Sequence, residues 1–278
     1  MQRPLPGGDG VVLRNRAGDE AAVSLHGAQL LSWRPAGQPE QIYTSPLAQP
    51  AAGKALRGGV PVCFPQFSDR GPLPKHGFAR TSRWEVVGVP VQGAEVAEGR
   101  FQLDSAMASV RWEHAFGVVL AVRLGPGWLE LELQAANTGR ASWHFTAALH
   151  TYLAVADVRT ATLHGLQGLE YEDMLAGHAV RPEMAPALRI DNEIDRVYRD
   201  VVQPLDLAGD APHRRILQQG FTDTVVWNPG PLKAAALGDM PAQDWDKMLC
   251  VEAAVIQRPV HLAPGKTWRG LQRIELSR

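Results

Sequence analysis

The sequence has little cysteine. Cys63 and Cys250 are the only two cysteines among 278 residues, both lie in apolar surroundings, and they form no CxxC pair. This pattern favours reduced thiols in a hydrophobic core over a disulfide framework or a structural metal site. We therefore expect both thiols to be free and buried.

Long apolar runs are also missing. No stretch approaches the roughly 18 consecutive apolar residues of a membrane-spanning helix. The opening residues, MQRPLPGGDG, have no apolar core of the kind found in signal peptides. We expect a cytoplasmic protein that makes no contact with a membrane.

Neither sign of charge is in excess. Lys and Arg number 28 and Asp and Glu number 29, which gives a formal net charge of -1. A chain without a strong overall field is not suited to binding nucleic acid, so any anion site has to be local. The sequence contains neither a G-x-G-x-x-G nor a P-loop motif. We expect no cofactor, no nucleic-acid partner and a monomeric protein that acts on a small molecule.

Long helical patterns are scarce, whereas strand patterns recur along the chain. In WLELELQAAN, Leu129, Leu131 and Leu133 share one face of a strand and Glu130 and Glu132 share the other. Similar runs recur between turns rich in the 27 glycines and 21 prolines. The pattern predicts an all-β fold, a large antiparallel β-sandwich with few short helices, as one domain over residues 1–278. The best helix candidate is MPAQDWDKM, with Asp239 as a possible N-cap.

One histidine and one carboxylate stand in unusual positions on predicted strands. In SWHFTAALHTYLAV, His150 lies on the face opposite to the most apolar stripe, and His144 is roughly 20 Å from it, too far for both to bind one metal. In KMLCVEAAVI, Glu252 shares a face with Met248 and Cys250, so this carboxylate lies in an apolar stripe. His150 could be a structural polar residue, and Glu252 could be either a structural ion-pair partner or a general base.

The segment LRGGVPVCFPQFSDRGPLPKHGFAR, residues 56–80, concentrates cations beside aromatic rings. Its glycines and prolines predict a long loop, and loops on a rigid sheet often carry binding residues. An arginine fork suits phosphate or carboxylate, and Gly58 and Gly59 would allow a ligand to approach the backbone. The alternative is that Arg57 and Arg80 brace the loop and Lys75 is simply solvated.

Seven motifs in order resemble a known family. LRGGVPVCFPQF, KHGFAR, LHTYLAV, GLQGLEYEDM, DRVY, VWNPG and CVEAA resemble the aldose 1-epimerase (galactose mutarotase-like) superfamily from about Gly27 to the C-terminus. Within it they are most similar to the hexose-6-phosphate mutarotase branch, also called glucose-6-phosphate 1-epimerase. The resemblance implies a galactose mutarotase-like supersandwich with a sugar cleft on one sheet.

The resemblance also implies roles for individual residues. His150 matches the general acid of the family and Glu252 its general base. Arg57 and Arg80 match anion-contacting arginines, Asp195 matches a residue that binds sugar hydroxyls, and His76 matches a second histidine of the cleft. Lys75 departs from the branch, which often has glutamine there, and could add a phosphate contact or change sugar selectivity.

The expected reaction is interconversion of the α and β anomers of a hexose 6-phosphate. Glu252 as a carboxylate would remove the anomeric proton, and His150 as an imidazolium would protonate the ring oxygen. A mutarotase of free aldoses and a non-catalytic carbohydrate-binding protein on the same fold remain alternatives. A glycoside hydrolase is less favoured, because only Asp195 could serve as the second carboxylate.

Overall fold

A computed structural model describes residues 2–5, 8–49, 51, 53–209 and 212–277, and β-strands dominate it. The strands of the first half of the chain are β1 (Gln2–Leu5), β2 (Gly8–Arg14), β3 (Glu20–Ser24), β4 (Leu30–Arg34), β5 (Val62–Cys63), β6 (Glu85–Val86), β7 (Ala97–Asp104), β8 (Phe116–Gly125) and β9 (Trp128–Asn137). Those of the second half are β10 (Trp143–Leu149), β11 (Tyr152–Ala154), β12 (Thr162–His164), β13 (Glu170–Asp173), β14 (Ala179–Pro182), β15 (Ala187–Leu188), β16 (Ile194–Tyr198), β17 (Leu205–Ala208), β18 (Arg214–Gln219), β19 (Asp223–Asn228), β20 (Met248–Leu262) and β21 (Thr267–Leu276).

These strands form three sheets. A four-stranded sheet has the order β1-β2-β3-β4, and a nine-stranded sheet has the order β15-β12-β17-β18-β21-β9-β8-β7-β6. An eight-stranded sheet has the order β14-β13-β16-β19-β20-β10-β5, with β11 also paired to β20. The pairs inside these sheets are antiparallel, as in β8–β9 and β19–β20. The all-β, antiparallel prediction is therefore confirmed.

The nine-stranded sheet shows the predicted alternation most clearly. Along β9 the leucines at 129, 131 and 133 are fully buried, whereas the intervening glutamates are only partly covered and lie beside Arg123. Burying each leucine contributes roughly 1.5–3 kcal/mol relative to leaving it exposed. This face joins the main hydrophobic core of the molecule, which it shares with the eight-stranded sheet.

The eight-stranded sheet is apolar on both faces, and this arrangement positions the candidate site. Along β20, Leu249, Val251 and Ala253 belong to the main core. Met248 and Cys250 point to the opposite face, where they join a smaller apolar cluster. Successive side chains of a strand point to opposite faces. Glu252 therefore emerges from this second, partly covered face, as the alternation predicted.

Helices are few and short among the described residues. They are one α-helix, α1 (Gly230–Ala236), and three 3₁₀ helices, Ala79–Thr81, Met174–Ala176 and Ala242–Lys247. The segment MPAQDWDKM contains the last of these, and Pro241, not Asp239, precedes its first residue. The Asp239 carboxylate instead accepts a hydrogen bond from Arg57 Nε at 3.1 Å. The predicted cap is wrong because a distant arginine provides a charged partner for this carboxylate.

Cys63 and Cys250 are free and fully buried, as predicted. No helix in the described part of the chain is both long and apolar enough to cross a membrane. The assignment of residues 1–278 to one domain stays a prediction.

Candidate active site

The loop of residues 56–80 takes its shape from glycines that lie against other backbone segments. Gly59 has a φ of 66°, and a Cβ atom there would come within 2.3 Å of the Leu30 carbonyl oxygen. Gly77 has a φ of 71°, and a Cβ atom there would come within 2.1 Å of the Phe64 carbonyl oxygen. Both positions require glycine, because no side chain fits and the left-handed conformation is strained for other residues. They hold Arg57 and His76 on the site side of the loop.

Strand register brings the predicted acid and base together. Leu149 at the end of β10 pairs with Ala253 of β20. In an antiparallel pair, the residue after Leu149 faces the residue before Ala253, so His150 lies opposite Glu252. His150 Nδ1 lies 3.2 Å from Glu252 Oε1, and both side chains are buried. The two residues are 102 positions apart in sequence, so only the pairing of β10 with β20 creates this contact.

All seven residues singled out from the sequence line one cavity of about 280 Å³. They are Arg57, Lys75, His76, Arg80, His150, Asp195 and Glu252. A neighbouring cavity of about 480 Å³ shares Arg57, Lys75, Arg80 and Tyr152 with the first. The cations thus lie where the two cavities meet. An acid–base pair and a group of cations therefore face the same small space.

Burial sets the resting charge of the His150–Glu252 pair. The pKa of Glu252 is raised well above its ordinary value, first by burial and then by the nearby Asp195 carboxylate. The pKa of His150 is lowered well below its ordinary value, first by burial and then by His76 and the cations Arg80 and Arg57. Both shifts favour the neutral forms. The direction of both shifts therefore favours a carboxylic acid beside a neutral imidazole over the charged pair of the expected reaction.

The structure defines the tautomer of His76. Ser68 donates its backbone N–H to His76 Nδ1 at 3.3 Å, and Cys63 Sγ lies 3.3 Å from the same nitrogen. A backbone amide can only donate, so Nδ1 is an acceptor and Nε2 carries the proton. Burial, followed by the charge of Arg80, lowers the pKa of His76 to about 3. His76 is thus a neutral residue with one N–H to offer.

Aromatic rings surround the acid–base pair. The ring of Tyr152 stacks on His150, with centroids 4.8 Å apart and an interplanar angle of 12°. Trp227 meets both rings edge-on at 6.0 Å. Tyr152 also accepts a hydrogen bond from Arg57 Nη1 at 3.3 Å. Tyr152 therefore links the cations to His150, and stacking fixes the orientation of the imidazole ring.

The cations of the site are held in different ways. Arg57 forms an ion pair with Asp239, and Lys75 lies 3.6 Å from Asp69. Arg80 donates from Nη2 to the Lys75 carbonyl oxygen at 2.8 Å, and its buried Nε has no hydrogen-bond partner among the described residues. Arg80 therefore holds the loop through a neutral carbonyl and brings a cation to the cavity.

A carboxylate and an ammonium also line the cavity. Asp195 stands on β16, where it pairs with Trp227 of β19. Burial is the main cause that raises the pKa of Asp195 to about 6. Lys233 of α1 forms an ion pair with Glu193 at 2.6 Å and lines the same cavity. Asp195 can accept hydrogen bonds from sugar hydroxyls when it is ionised.

Several cavity residues were not singled out from the sequence. Tyr152, Trp227 and Lys233 line the cavity, and Asp239 holds Arg57 from 182 positions away. Tyr152 stands two residues after His150 on the same face of the predicted strand and within the motif LHTYLAV, and these two signals could have identified it. No pattern in the neighbouring sequence distinguishes Lys233 or Asp239 as a residue of the site.

One group of described residues has the composition of a metal site. A ring nitrogen of His150, Cys250 Sγ and a Glu252 carboxylate oxygen lie within 4.8 Å of one another. Metal ligation was not expected from the sequence, where His150 was compared only with His144. The two cysteines also differ here, because Cys63 contacts His76 and Cys250 lies beside the acid–base pair.

Comparisons with known proteins agree on one family. A family model described as Aldose 1-epimerase matches residues 9–275. A candidate glucose-6-phosphate 1-epimerase of Cenchrus ciliaris is 35% identical over 277 residues, which cover 96% of this chain and 84% of that protein. A candidate glucose-6-phosphate 1-epimerase of Escherichia coli K12 is 32% identical over 258 residues, which cover 88% of this chain and 85% of that protein.

A solved structure has the same fold. The crystal structure of a candidate mutarotase from Salmonella typhimurium superimposes with a TM-score of 0.89 at 29% sequence identity. The alignment covers 100% of this chain and 93% of that one. The galactose mutarotase-like fold predicted from the ordered motifs is thus confirmed.

Proposed function

Because this chain belongs to the aldose 1-epimerase family and is an epimerase, we propose that its substrate is a hexose 6-phosphate, with glucose 6-phosphate the first to test. The observation that carries the proposal is that an acid–base pair and the cations Arg57, Lys75 and Arg80 line one cavity. Ring opening requires the pair, and a phosphate requires the cations. Two relatives named as candidate glucose-6-phosphate 1-epimerases support the same substrate.

The His150–Glu252 pair would open and close the sugar ring. Glu252 removes the proton of the anomeric hydroxyl while His150 protonates the ring oxygen, and the roles reverse after rotation about C1–C2. Glu252 Oε2 is buried and has no hydrogen-bond partner among the described residues, so it is available to accept the anomeric proton. Oε1 stays beside His150 Nδ1 at 3.2 Å. The pair carries one proton throughout and returns to its starting state.

Substrate charge would prepare the pair for this reaction. At rest the proton is on Glu252, because burial disfavours both charged forms and nearby Arg80 and Arg57 disfavour an imidazolium. A bound phosphate offsets the charge of these arginines. Ring opening then needs the proton on His150, whose Nδ1 lies 3.2 Å from Glu252 Oε1, so that the pair is a carboxylate and an imidazolium.

The phosphate would lie against Arg57, Lys75 and Arg80, where the two cavities meet. Arg80 is the strongest candidate contact, because its buried Nε lacks a hydrogen-bond partner among the described residues. Arg57 is oriented by Asp239 and Tyr152 and presents its remaining N–H groups. Arginine suits this role because its planar fork matches phosphate oxygens.

Hexose selectivity would depend on the other two predicted residues. Asp195 accepts hydrogen bonds from sugar hydroxyls, and His76 donates from Nε2 to the ring oxygen or a neighbouring hydroxyl. The aromatic rings of Tyr152 and Trp227 restrict where the sugar can lie. No step in this scheme draws on a cofactor.

The test is α/β exchange measured by NMR exchange spectroscopy on glucose 6-phosphate and glucose in parallel. Arg80→Met should lower kcat/KM for the phosphosugar by about 10- to 150-fold, because a hydrogen bond to a charged group is worth about 1.5–3 kcal/mol. Exchange of glucose should not fall, because loss of the Arg80 charge removes one of the effects that disfavour the His150 imidazolium. Arg83→Met is the matched control, because Arg83 is exposed and forms an ion pair with Asp9 away from the cavity.

Equal wild-type rates for glucose and glucose 6-phosphate would favour a mutarotase of free aldoses and remove the phosphate assignment. No exchange with either sugar would favour a non-catalytic carbohydrate-binding protein. An Arg80→Met enzyme that keeps its preference for the phosphosugar would show that Arg80 has a structural role.

A further inference from the structure

Cys250 is a buried thiol that the proposed reaction does not use. It is fully buried on β20, two residues before Glu252 and on the same face of the strand. Its Sγ atom, a ring nitrogen of His150 and a carboxylate oxygen of Glu252 all lie within 4.8 Å of one another. The other thiol of the chain, Cys63, contacts His76 instead. Sulfur, nitrogen and oxygen donors thus lie close together, beside the part of the cavity wall that His150 and Glu252 form.

These donors suit a borderline-soft divalent cation. Zinc binds Cys, His and carboxylate at about 2.0–2.3 Å in tetrahedral geometry, which places its ligand atoms about 3.5 Å apart. The most widely separated pair would have to close by about 1 Å. Glu252 Oε2 is buried without a hydrogen-bond partner among the described residues, so a bound cation would satisfy it. His150 and Glu252 also line the cavity, which gives the ion a route in and an open fourth position.

Charge compensation decides whether such a site can hold a cation. Arg57 and Arg80 line the same cavity and oppose a second positive charge. A thiolate and a carboxylate together supply two negative charges, which neutralise a divalent ion at the site itself. Asp195 adds a further carboxylate in the cavity. A hard cation such as magnesium would bind less tightly at these three ligands, because it does not favour thiolate.

We propose that His150, Cys250 and Glu252 form an inhibitory Zn²⁺ site, and that Zn²⁺ and the sugar exclude each other. On binding, Zn–S, Zn–N and Zn–O bonds form, and the protons of the Cys250 thiol and the Glu252 carboxyl pass to solvent. No electron is transferred. The bound ion blocks exchange because it occupies both members of the acid–base pair. Mutual exclusion rests on the proposed catalytic roles of His150 and Glu252, whereas metal binding itself does not.

The first test measures binding without using activity. Co²⁺ is titrated into the full-length protein, and the near-ultraviolet thiolate-to-cobalt charge-transfer band is recorded. We expect the band in the wild-type protein and in Cys63→Ala, which removes the other thiol, and its loss in Cys250→Ala. A Cys250→Ser protein provides a second variant if the alanine protein is poorly folded. Absence of the band from the wild-type protein, or its retention without Cys250, would overturn the proposal.

The second test measures inhibition of α/β exchange at free Zn²⁺ concentrations set by a chelator buffer. Zn²⁺ should inhibit the wild-type enzyme competitively with the sugar. Loss of a residue that only supports a metal ligand typically lowers metal affinity about 10- to 100-fold. Loss of the thiolate ligand itself should therefore weaken Zn²⁺ inhibition of Cys250→Ala at least about tenfold. Cys63→Ala should stay as sensitive as wild type. Equal sensitivity of Cys250→Ala would refute the site, whereas a cobalt band without inhibition would keep the metal site and refute the catalytic roles.

Discussion

Replacing Glu252 by glutamine tests the core of the proposed mechanism. The amide has nearly the same shape as the buried carboxyl but cannot accept the anomeric proton. General acid–base catalysis typically contributes about 10²- to 10⁴-fold, so exchange should fall by this factor, or about 3–5 kcal/mol of transition-state stabilisation. The sugar should still bind, because the cations, Asp195 and His76 are untouched.

The same substitution should stabilise the folded protein, which separates lost chemistry from lost structure. Because burial raises the pKa of Glu252, the unfolded chain ionises near pH 4.5 while the folded protein resists ionisation. Above that pH, the wild type loses about 1.4 kcal/mol of folding stability per pH unit, up to the raised pKa. The neutral amide escapes this loss. The Tm advantage of Glu252→Gln should therefore grow with pH, by about 2 °C per kcal/mol.

The assay combines NMR exchange spectroscopy on glucose 6-phosphate with thermal unfolding at several pH values from 5 to 8. Glu132→Gln is the matched control, because Glu132 lies on the partly exposed face of β9 beside Arg123 and does not line the cavity. It should keep wild-type exchange and show no pH-dependent gain in Tm. Near-wild-type exchange in Glu252→Gln would refute the assignment of the base. A Tm difference that does not change with pH would refute the buried, neutral carboxyl.

Two further predictions concern the residues around the pair. Tyr152→Phe keeps the ring that stacks on His150 but removes the hydroxyl that accepts from Arg57; KM for glucose 6-phosphate should rise about tenfold, with a smaller change in kcat, in saturation exchange measurements. Burial raises the pKa of Asp195 to about 6. Affinity for glucose 6-phosphate, measured by calorimetry, should increase as the pH rises through about 6, and Asp195→Asn should reduce this increase to the part that comes from ionisation of the phosphate.

A specific result would contradict each of these two predictions. An unchanged KM in Tyr152→Phe would mean that the Arg57 contact does not position the phosphate. Tyr171→Phe is the matched control, because Tyr171 does not line the cavity. An increase of the same size in Asp195→Asn and wild type would show that Asp195 does not contribute to the titration. For that variant the control is Asp206→Asn, because Asp206 lies on β17 and does not line the cavity.

The sequence alone determined several of the strands and the faces of their side chains. Period-two alternation placed the leucines of β9 in the core and Glu252 in an apolar stripe, because side chains of a strand alternate between its two faces. The ordered motifs identified the family and nominated seven residues, all of which line one cavity. These features can be predicted from the sequence because each depends on residues that are close together in the chain.

Only the tertiary structure decided what depends on distant partners. Asp239 holds Arg57 from 182 positions away, so no local pattern could distinguish it from a helix cap. Cys250 lies beside His150 only because β11 and β20 pair. The resting charge of His150 and Glu252 follows from how completely both are buried. Burial and long-range pairing are properties of the assembled sheets, and a pKa is set by the sum of those surroundings.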